Sequence, residues 1–152
     1  MRARSRPVAR TGGSIRAPGD KSCSHRAIMM AAVASGESTV TGLLEGEDVL
    51  NTARAVKALG AGVERTGQGV WTIVGVGEAG FRTPTDDLDF GNSGTGARLM
   101  MGLVGGHGVS ARFVGDASLS SRPMERVLKP LREASEQATL NIDEAADILR
   151  SK

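Results

Sequence analysis

An α/β (α+β) fold built from a repeated strand–helix–strand–helix–strand–strand unit is what this sequence predicts. Three observations carry that expectation. A Gly/Ser-rich turn ahead of an apolar helical run occurs twice, at 18–26 before the run 27–34 and at 91–98 before a run ending near Val104. Between them, short β-rich stretches alternate with a helical pattern. The second half then restarts the order of the first, which is the signature of an internal repeat.

Taken in order, residues 14–17 read as a short strand that Pro18 and Gly19 break into a turn. Ser22 or Ser24 is expected to cap the helix that follows, with Gly36 as its stop. Residues 38–43 alternate as a strand. Glu45, Glu47 and Asp48 place acids ahead of a second helix, where the macrodipole favours them. Val49, Ala53, Val56 and Leu59 share its face, and Gly60 is its expected C-terminal cap. Residues 63–66 and 70–74 flank Gly67-Gln68-Gly69, a hairpin signal. Residues 75–87 read as a loop. The pattern restarts with a strand at 88–90, the glycine turn, the second apolar helix and a strand at 110–114. A polar loop follows, and a helix opened by Pro123 runs to about Ala134. The second repeat lacks a closing hairpin, so it is expected to be incomplete.

The chain has 152 residues, 39% of them hydrophobic, with 21 Gly and 5 Pro. That composition is globular and turn-rich rather than disordered. Three Phe, one Trp, no Tyr and a net charge of +2 argue against a nucleic-acid binder, which uses stacking surface and a basic field. The apolar runs are too short to span a bilayer. The single Cys23 suits a reducing, cytoplasmic setting and is expected to be a small packed residue rather than a reactive thiol. Residues 1–12 read as a basic, flexible arm, with four Arg in the first ten positions.

Function is concentrated in the turns. Lys21, Ser22 and Arg26 stand where a helix N-terminus exposes unpaired N–H groups and attracts anions. Taken alone, that turn reads equally well as a capped helix with solvated Lys and Arg. It is not a Walker loop, whose spacing is absent. In the second turn Gly94 and Gly96 would let a ligand approach the backbone, while Asn92, Thr95 and Arg98 supply hydrogen bonds. Arg122 offers a planar fork for a carboxylate or phosphate. Three cationic turns, each expected at a helix start, imply one or two small substrates with several negative charges.

The segments Pro18-Gly19-Asp20-Lys21-Ser22-Cys23-Ser24-His25-Arg26, Gly42-Leu43-Leu44-Glu45-Gly46-Glu47-Asp48-Val49, Gly91-Asn92-Ser93-Gly94-Thr95-Gly96-Ala97-Arg98, Gly115-Asp116-Ala117-Ser118-Leu119 and Arg122-Pro123-Met124 strongly resemble the 5-enolpyruvylshikimate-3-phosphate (EPSP) synthase family. The resemblance covers 13–133, and its spelling is closest to the bacterial, glyphosate-tolerant-class group. At Gly94, however, some tolerant members carry Ala, so Gly there implies a sensitive pocket. The resemblance implies an inverse α/β barrel domain of βαβαββ units. It also implies transfer of the enolpyruvyl group of phosphoenolpyruvate to the 5-hydroxyl of shikimate 3-phosphate, with no metal or organic cofactor. By motif, Lys21 would touch both substrates, Ser22 and Arg26 the phosphorylated shikimate, and Gly94 and Arg122 phosphoenolpyruvate, with Asn92, Thr95 and Arg98 shaping that pocket. The related transferase acting on UDP-N-acetylglucosamine fits less well, because the Lys-Ser-x-Ser-His-Arg and Arg-Pro-Met motifs point to the shikimate enzyme.

The family's chain is several-fold longer, and its Asp, Lys and Glu acid/base residues match no position here. His25, expected as a turn residue, and His107, in a Gly-rich loop without visible partner, do not replace them. The catalytic residues are therefore unknown, and a complementing C-terminal half is an expected partner. Residues 134–152 diverge from the family and carry a short helix signal at 143–150, as a truncation, a changed reading frame or an artificial boundary would leave. A non-catalytic phosphate-binding module is the alternative reading.

Overall fold

The computed structural model describes residues 14, 15 and 17–138. The expected arm at 1–12 and the helix signal at 143–150 lie outside the described residues. Helix α1 (Lys21–Val33) leads directly into strand β1 (Ser35–Thr41), followed by α2 (Glu47–Ala58) and the hairpin β2 (Gly62–Gly67) and β3 (Val70–Val76). A single 3-10 turn (Gly77–Ala79) precedes β4 (Leu88–Asp89), α3 (Gly94–Val104), β5 (Phe113–Val114), the one-turn α4 (Ala117–Ser120) and α5 (Glu125–Ala138). This is a mixed helix and strand fold.

The strands form two separate sheets. β3 lies between β1 and β2 and runs antiparallel to both, with Val40 opposite Trp71 and Val63 opposite Ile73. β4 and β5 pair in parallel, Leu88 opposite Phe113, with α3 as the crossover between them. A parallel pair requires such a crossover, because a tight hairpin cannot reverse the chain twice. The described residues form no closed barrel.

Three expectations about local structure are corrected. Ser14, Ile15 and Ala17 are not in a strand, because an extended segment becomes a strand only when another edge pairs with it. The cap of α1 is Asp20, not Ser22 or Ser24: Asp20 is extended (φ −72, ψ 135) and its Oδ1 accepts from the Cys23 N–H at 2.7 Å. Ser24 instead donates to the Asp20 carbonyl at 2.7 Å and accepts from the Leu44 N–H at 3.0 Å, tying the first turn of α1 to the β1–α2 loop. Gly36 does not stop α1, which ends at Val33. It lies inside β1 at φ +87. The helix stops because β3 crosses its end, and a Cβ on Gly75 would lie 2.0 Å from the Ala34 carbonyl oxygen.

Other expectations hold. Gly69 closes the β2–β3 hairpin and Gly60 follows α2, both at positive φ, where glycine carries no steric penalty. Glu47 and Asp48 open α2 and Lys57 closes it, complementing the helix dipole. One core joins the parts: Ile28, Val49, Val56, Leu59, Ile73, Phe90 and Met100 are each 0% exposed. Phe90 and Phe113 stack at 5.5 Å across the β4–β5 pair.

Candidate functional site

The N-terminal halves of α1, α2 and α3 meet at His25. It is not a turn residue but a helical one, 0% exposed. Its Nδ1 lies 2.8 Å from Thr52 Oγ1 on α2. The Thr52 hydroxyl has its own acceptor in the Asp48 carbonyl at 3.4 Å, which assigns Nδ1 as the donor. Nε2 is buried with no hydrogen-bond partner. Burial pushes the imidazole pKa down, partly offset by Asp48 and reinforced by Lys21 and Arg26, so the ring is neutral. On α3, a Cβ on Gly96 would lie 3.2 Å from His25 Cε1, 2.9 Å from Thr52 Oγ1 and 2.7 Å from Ser93 Oγ. Gly96 thus serves helix packing, not ligand approach as the sequence suggests.

This junction places two cationic groups on neighbouring helix starts. On α1, Lys21, Ser22 and Arg26 are exposed. Lys21 Nζ pairs with Asp48 Oδ2 of α2 at 2.8 Å, and Arg26 Nη1 donates to the Ser22 carbonyl at 3.1 Å. On α3, Ser93 is the cap, with Oγ accepting from the Gly96 N–H at 3.2 Å. Gly94 is its buried first residue. A Cβ there would lie 2.8 Å from Arg122 Nη1 and 3.1 Å from Arg98 Nη1, so two guanidinium groups converge over one glycine. Arg98 Nη2 donates to the Pro123 carbonyl at 3.3 Å. Thr95 is exposed beside them.

Arg122 does not open a helix. It lies between α4 and α5, its N–H donating to the Leu119 carbonyl at 3.0 Å. Its Nη2 donates to Asn92 Oδ1 and to Ser118 Oγ at 3.2 Å. Asn92 Nδ2 in turn donates to Asp116 Oδ2 at 2.7 Å, and Asp116 Oδ1 caps α4 by accepting from the Leu119 N–H at 2.7 Å. Those bonds, Asn92 first, hold the Asp116 carboxyl below its ordinary pKa.

Sequence reasoning missed the supports of the site. Glu45 accepts from Arg65 Nε (2.7 Å) and Nη2 (2.9 Å), Trp71 Nε1 (3.0 Å) and the Gly69 N–H (3.1 Å). These donors, the Arg65 guanidinium above all, bring its pKa down to about 2. The clamp fixes the β1–α2 loop on the hairpin and so sets where Asp48 meets Lys21. A signal for it existed in the acid-rich Leu-Glu-Gly-Glu-Asp segment, but its partners are 20 to 26 residues away. Cys23 is exposed rather than packed. The Asp20 carboxylate beside it raises the thiol pKa, which makes it a poor nucleophile. His107 has a partner after all: Phe81 lies against it, ring centroids 4.6 Å apart, and the Phe81 N–H points at Nδ1 from 3.5 Å. A cavity of about 500 Å³ lies beside the first turn, between residues 17–19, 41–45 and 68–70. None of Lys21, Arg26, Arg98 or Arg122 lines it.

Fold and cluster together define a class: a mixed helix and strand domain that gathers guanidinium and ammonium groups at neighbouring helix starts. Comparison with known proteins narrows this class. Residues 5–147 match the family model of EPSP synthase (3-phosphoshikimate 1-carboxyvinyltransferase). The chain is similar to the 3-phosphoshikimate 1-carboxyvinyltransferase of Hyphomonas neptunium, 56% identical over 91% of this chain and 32% of that one. It is also similar to that of Afipia carboxidovorans, 64% identical over 78% of this chain and 27% of that one. A solved EPSP synthase from Acinetobacter baumannii superposes with a TM-score of 0.76 at 49% identity, over 80% of this chain and 27% of that one. The chain belongs to the EPSP synthase family. It spans about a third or less of the length of the curated relatives it matches.

Proposed function

We propose that this chain supplies one substrate-binding face of a carboxyvinyl transferase acting on shikimate 3-phosphate and phosphoenolpyruvate. The observation that carries the reading is the convergence of Arg122 and Arg98 on Gly94, at a helix start joined through His25 to the one bearing Lys21 and Arg26. Lys21 contacts both substrates, Ser22 and Arg26 the shikimate phosphate, and Gly94 and Arg122 phosphoenolpyruvate. Asn92, Thr95 and Arg98 complete the second pocket. In the reaction the 5-hydroxyl gives up its proton to a base as its oxygen bonds to C2 of phosphoenolpyruvate and an acid delivers a proton to C3. Loss of a C3 proton and of phosphate then restores the double bond. Preorganised cations stabilise the charge that gathers on the departing phosphate. The proton donors and acceptors required belong to a complementing C-terminal half, which also completes the inverse barrel of βαβαββ units. Residues 13–133 form the family domain, between a basic arm at 1–12 and a divergent tail at 134–152. The spelling of the motifs favours the bacterial tolerant-class group, with Gly94 leaving its own position uncrowded for glyphosate, and the setting is cytoplasmic.

Calorimetric titration of the purified chain with each substrate, followed by a phosphate-release assay with both, tests this reading. Both substrates are expected to bind, with slow or no turnover. Lys21→Ala is expected to weaken both, and Arg122→Ala phosphoenolpyruvate alone, each by roughly tenfold or more, as loss of a charge-assisted hydrogen bond predicts. Unchanged affinities in both variants would refute the assignment. Turnover dependent on Lys21 would place a complete catalytic set within the chain. Binding of phosphorylated ligands without turnover even beside a C-terminal half would favour a non-catalytic module.

A further inference from the structure

The hydrogen-bond relay behind Arg122 has a direction, and one residue sets it. Asp116 accepts at both oxygens: Oδ1 takes the Leu119 N–H at 2.7 Å and Oδ2 takes Asn92 Nδ2 at 2.7 Å. An ionised carboxylate can only accept, so the Asn92 amide must turn its NH₂ toward Asp116. Its oxygen then faces the other way, where Arg122 Nη2 donates to it. With Nη2 held there, Nη1 of the same rigid fork lies over Gly94, 2.8 Å from the place a Cβ would take. We propose that Asp116 is a positioning residue for the anion contact of Arg122, acting by fixing the orientation of the Asn92 amide. The inference rests on the substrate-binding role given to Arg122 above. Asp116 does not itself touch the anion: its carboxylate is turned to the cap of α4 and to Asn92.

The relay predicts a parity effect. Asn at 116 would keep the α4 cap, since Asn and Asp cap equally well, by giving its oxygen to Leu119. Its NH₂ would then face Asn92. Whichever way the Asn92 amide turns, two donors now meet, either at 116 or at Arg122. Arg122 is left with Ser118 Oγ at 3.2 Å and loses its fixed orientation. A second substitution, Asn92→Asp, restores the parity, because Asp at 92 accepts from both neighbours.

The test uses the whole chain and reads the Arg122 Nε–H resonance by ¹⁵N NMR, assigned with Arg122→Lys, together with calorimetric titration of phosphoenolpyruvate and shikimate 3-phosphate. In Asp116→Asn the resonance is expected to merge with those of mobile arginines, the melting temperature to stay near wild type, and phosphoenolpyruvate to bind about tenfold more weakly, the equivalent of about 1.4 kcal/mol. Shikimate 3-phosphate should keep its affinity within about twofold, a difference of about 0.4 kcal/mol. In Asp116→Asn with Asn92→Asp the resonance returns. An unchanged Arg122 resonance in the single variant, or one lost equally in the double variant, overturns the proposal. So does a mobile Arg122 with unchanged phosphoenolpyruvate binding. A wild-type chain that binds no phosphoenolpyruvate would refute the substrate reading, while the resonance would still decide whether Asp116 orients Arg122.

Discussion

Gly94 and Gly96 are two residues apart on one helix, and replacing each by Ala should produce opposite failures. A methyl at 94 would lie 2.8 Å from Arg122 Nη1, 3.1 Å from Arg98 Nη1 and 3.7 Å from Leu119 Cδ1. The two close atoms are ends of long, flexible side chains. They can retreat to an ordinary 3.4 Å by moving about 0.6 and 0.3 Å, small against the freedom of an arginine side chain. Stability should therefore change by less than about 0.5 kcal/mol, the usual range for a substitution that leaves the core alone. Anion affinity should not escape so lightly. A misplacement of about 1 Å can cost a hundredfold, so a shift of half that should weaken phosphoenolpyruvate binding roughly tenfold.

A methyl at 96 meets different neighbours: Ser93 Oγ at 2.7 Å, Thr52 Oγ1 at 2.9 Å and His25 Cε1 at 3.2 Å. All three residues are buried, and each is fixed by a hydrogen bond. Overpacking of this kind costs about 1–3 kcal/mol, and a strained or broken buried hydrogen bond adds about 1 kcal/mol. The better helix propensity of Ala returns less than about 1 kcal/mol. The net loss is about 1–3 kcal/mol, a melting temperature lower by roughly 5–15 °C. Thermal denaturation followed by circular dichroism, paired with calorimetric titration of phosphoenolpyruvate, separates the two. If Gly96→Ala melts like the wild type, the three-helix junction is not packed as described. If Gly94→Ala melts low and binds normally, the guanidinium groups do not sit over that glycine.

Two further outcomes concern pH. His25 is neutral when folded, with a pKa below its ordinary 6.5, so the unfolded chain binds the extra proton. Stability should be full above pH 6.5 and fall below it, by up to about 1.4 kcal/mol per pH unit until the folded pKa is reached. The charged groups around the ring are Asp48, Lys21 and Arg26. Urea melts at pH 7.5 and 5.5 should differ, and His25→Asn, which keeps a donor for Thr52, should reduce that difference; an unaltered difference would show that another group titrates. Glu45 works in the opposite sense. Its folded pKa of about 2 lies below the ordinary 4.5, so its contribution is present above pH 4.5 and is lost as pH falls toward 2. Glu45→Gln should melt lower than wild type at neutral pH, with the gap closing between pH 4.5 and 2. Trp71, the only tryptophan and a donor to Glu45 at 3.0 Å, supplies the fluorescence signal.

Features with a local cause were legible in the sequence. The β2–β3 hairpin follows from Gly67-Gln68-Gly69, the ends of α2 from its acids and Gly60, and α3 from its apolar run, and each lies where expected. Features that depend on a distant partner were not. A strand at 14–17 needs an edge to pair with, and no pattern within those residues tests for one. Ser22 and Ser24 are good caps by type, yet Asp20 takes the role because the Leu44 N–H already claims Ser24. The one-turn α4 is too short to show a helical period, although Asp116, its cap, was in view as part of a motif. His25 looked like a turn residue because the polar motif around it hides that one helix face points inward. The cations themselves were all identified by type and spacing. Their partners, 27 residues away for Lys21 and 30 for Arg122, appear only once the helices pack.

Those partners decide how the site can work. Lys21 is paired with Asp48, Arg26 with the Ser22 carbonyl, Arg98 with the Pro123 carbonyl, and Arg122 with Asn92 and Ser118. An arriving phosphate must therefore exchange for contacts already made, and its net gain is far below the Coulomb energy of four bare cations. Lys21 and Asp48 are both partly exposed, so that pair is weak by itself, and under the proposed reading a dianion would displace it at little cost. Arg122 differs, because neutral oxygens hold it. A carboxylate or phosphate is a stronger acceptor than an amide or a hydroxyl, and the planar fork can keep Nη2 on Asn92 while Nη1 engages the ligand. The neutral partners thus fix direction, while the Asp116 carboxylate behind Asn92 acts on Arg122 only through space. The α1 cluster is suited to charge that can be shared or released, and the α3 cluster to a small anion held in one orientation.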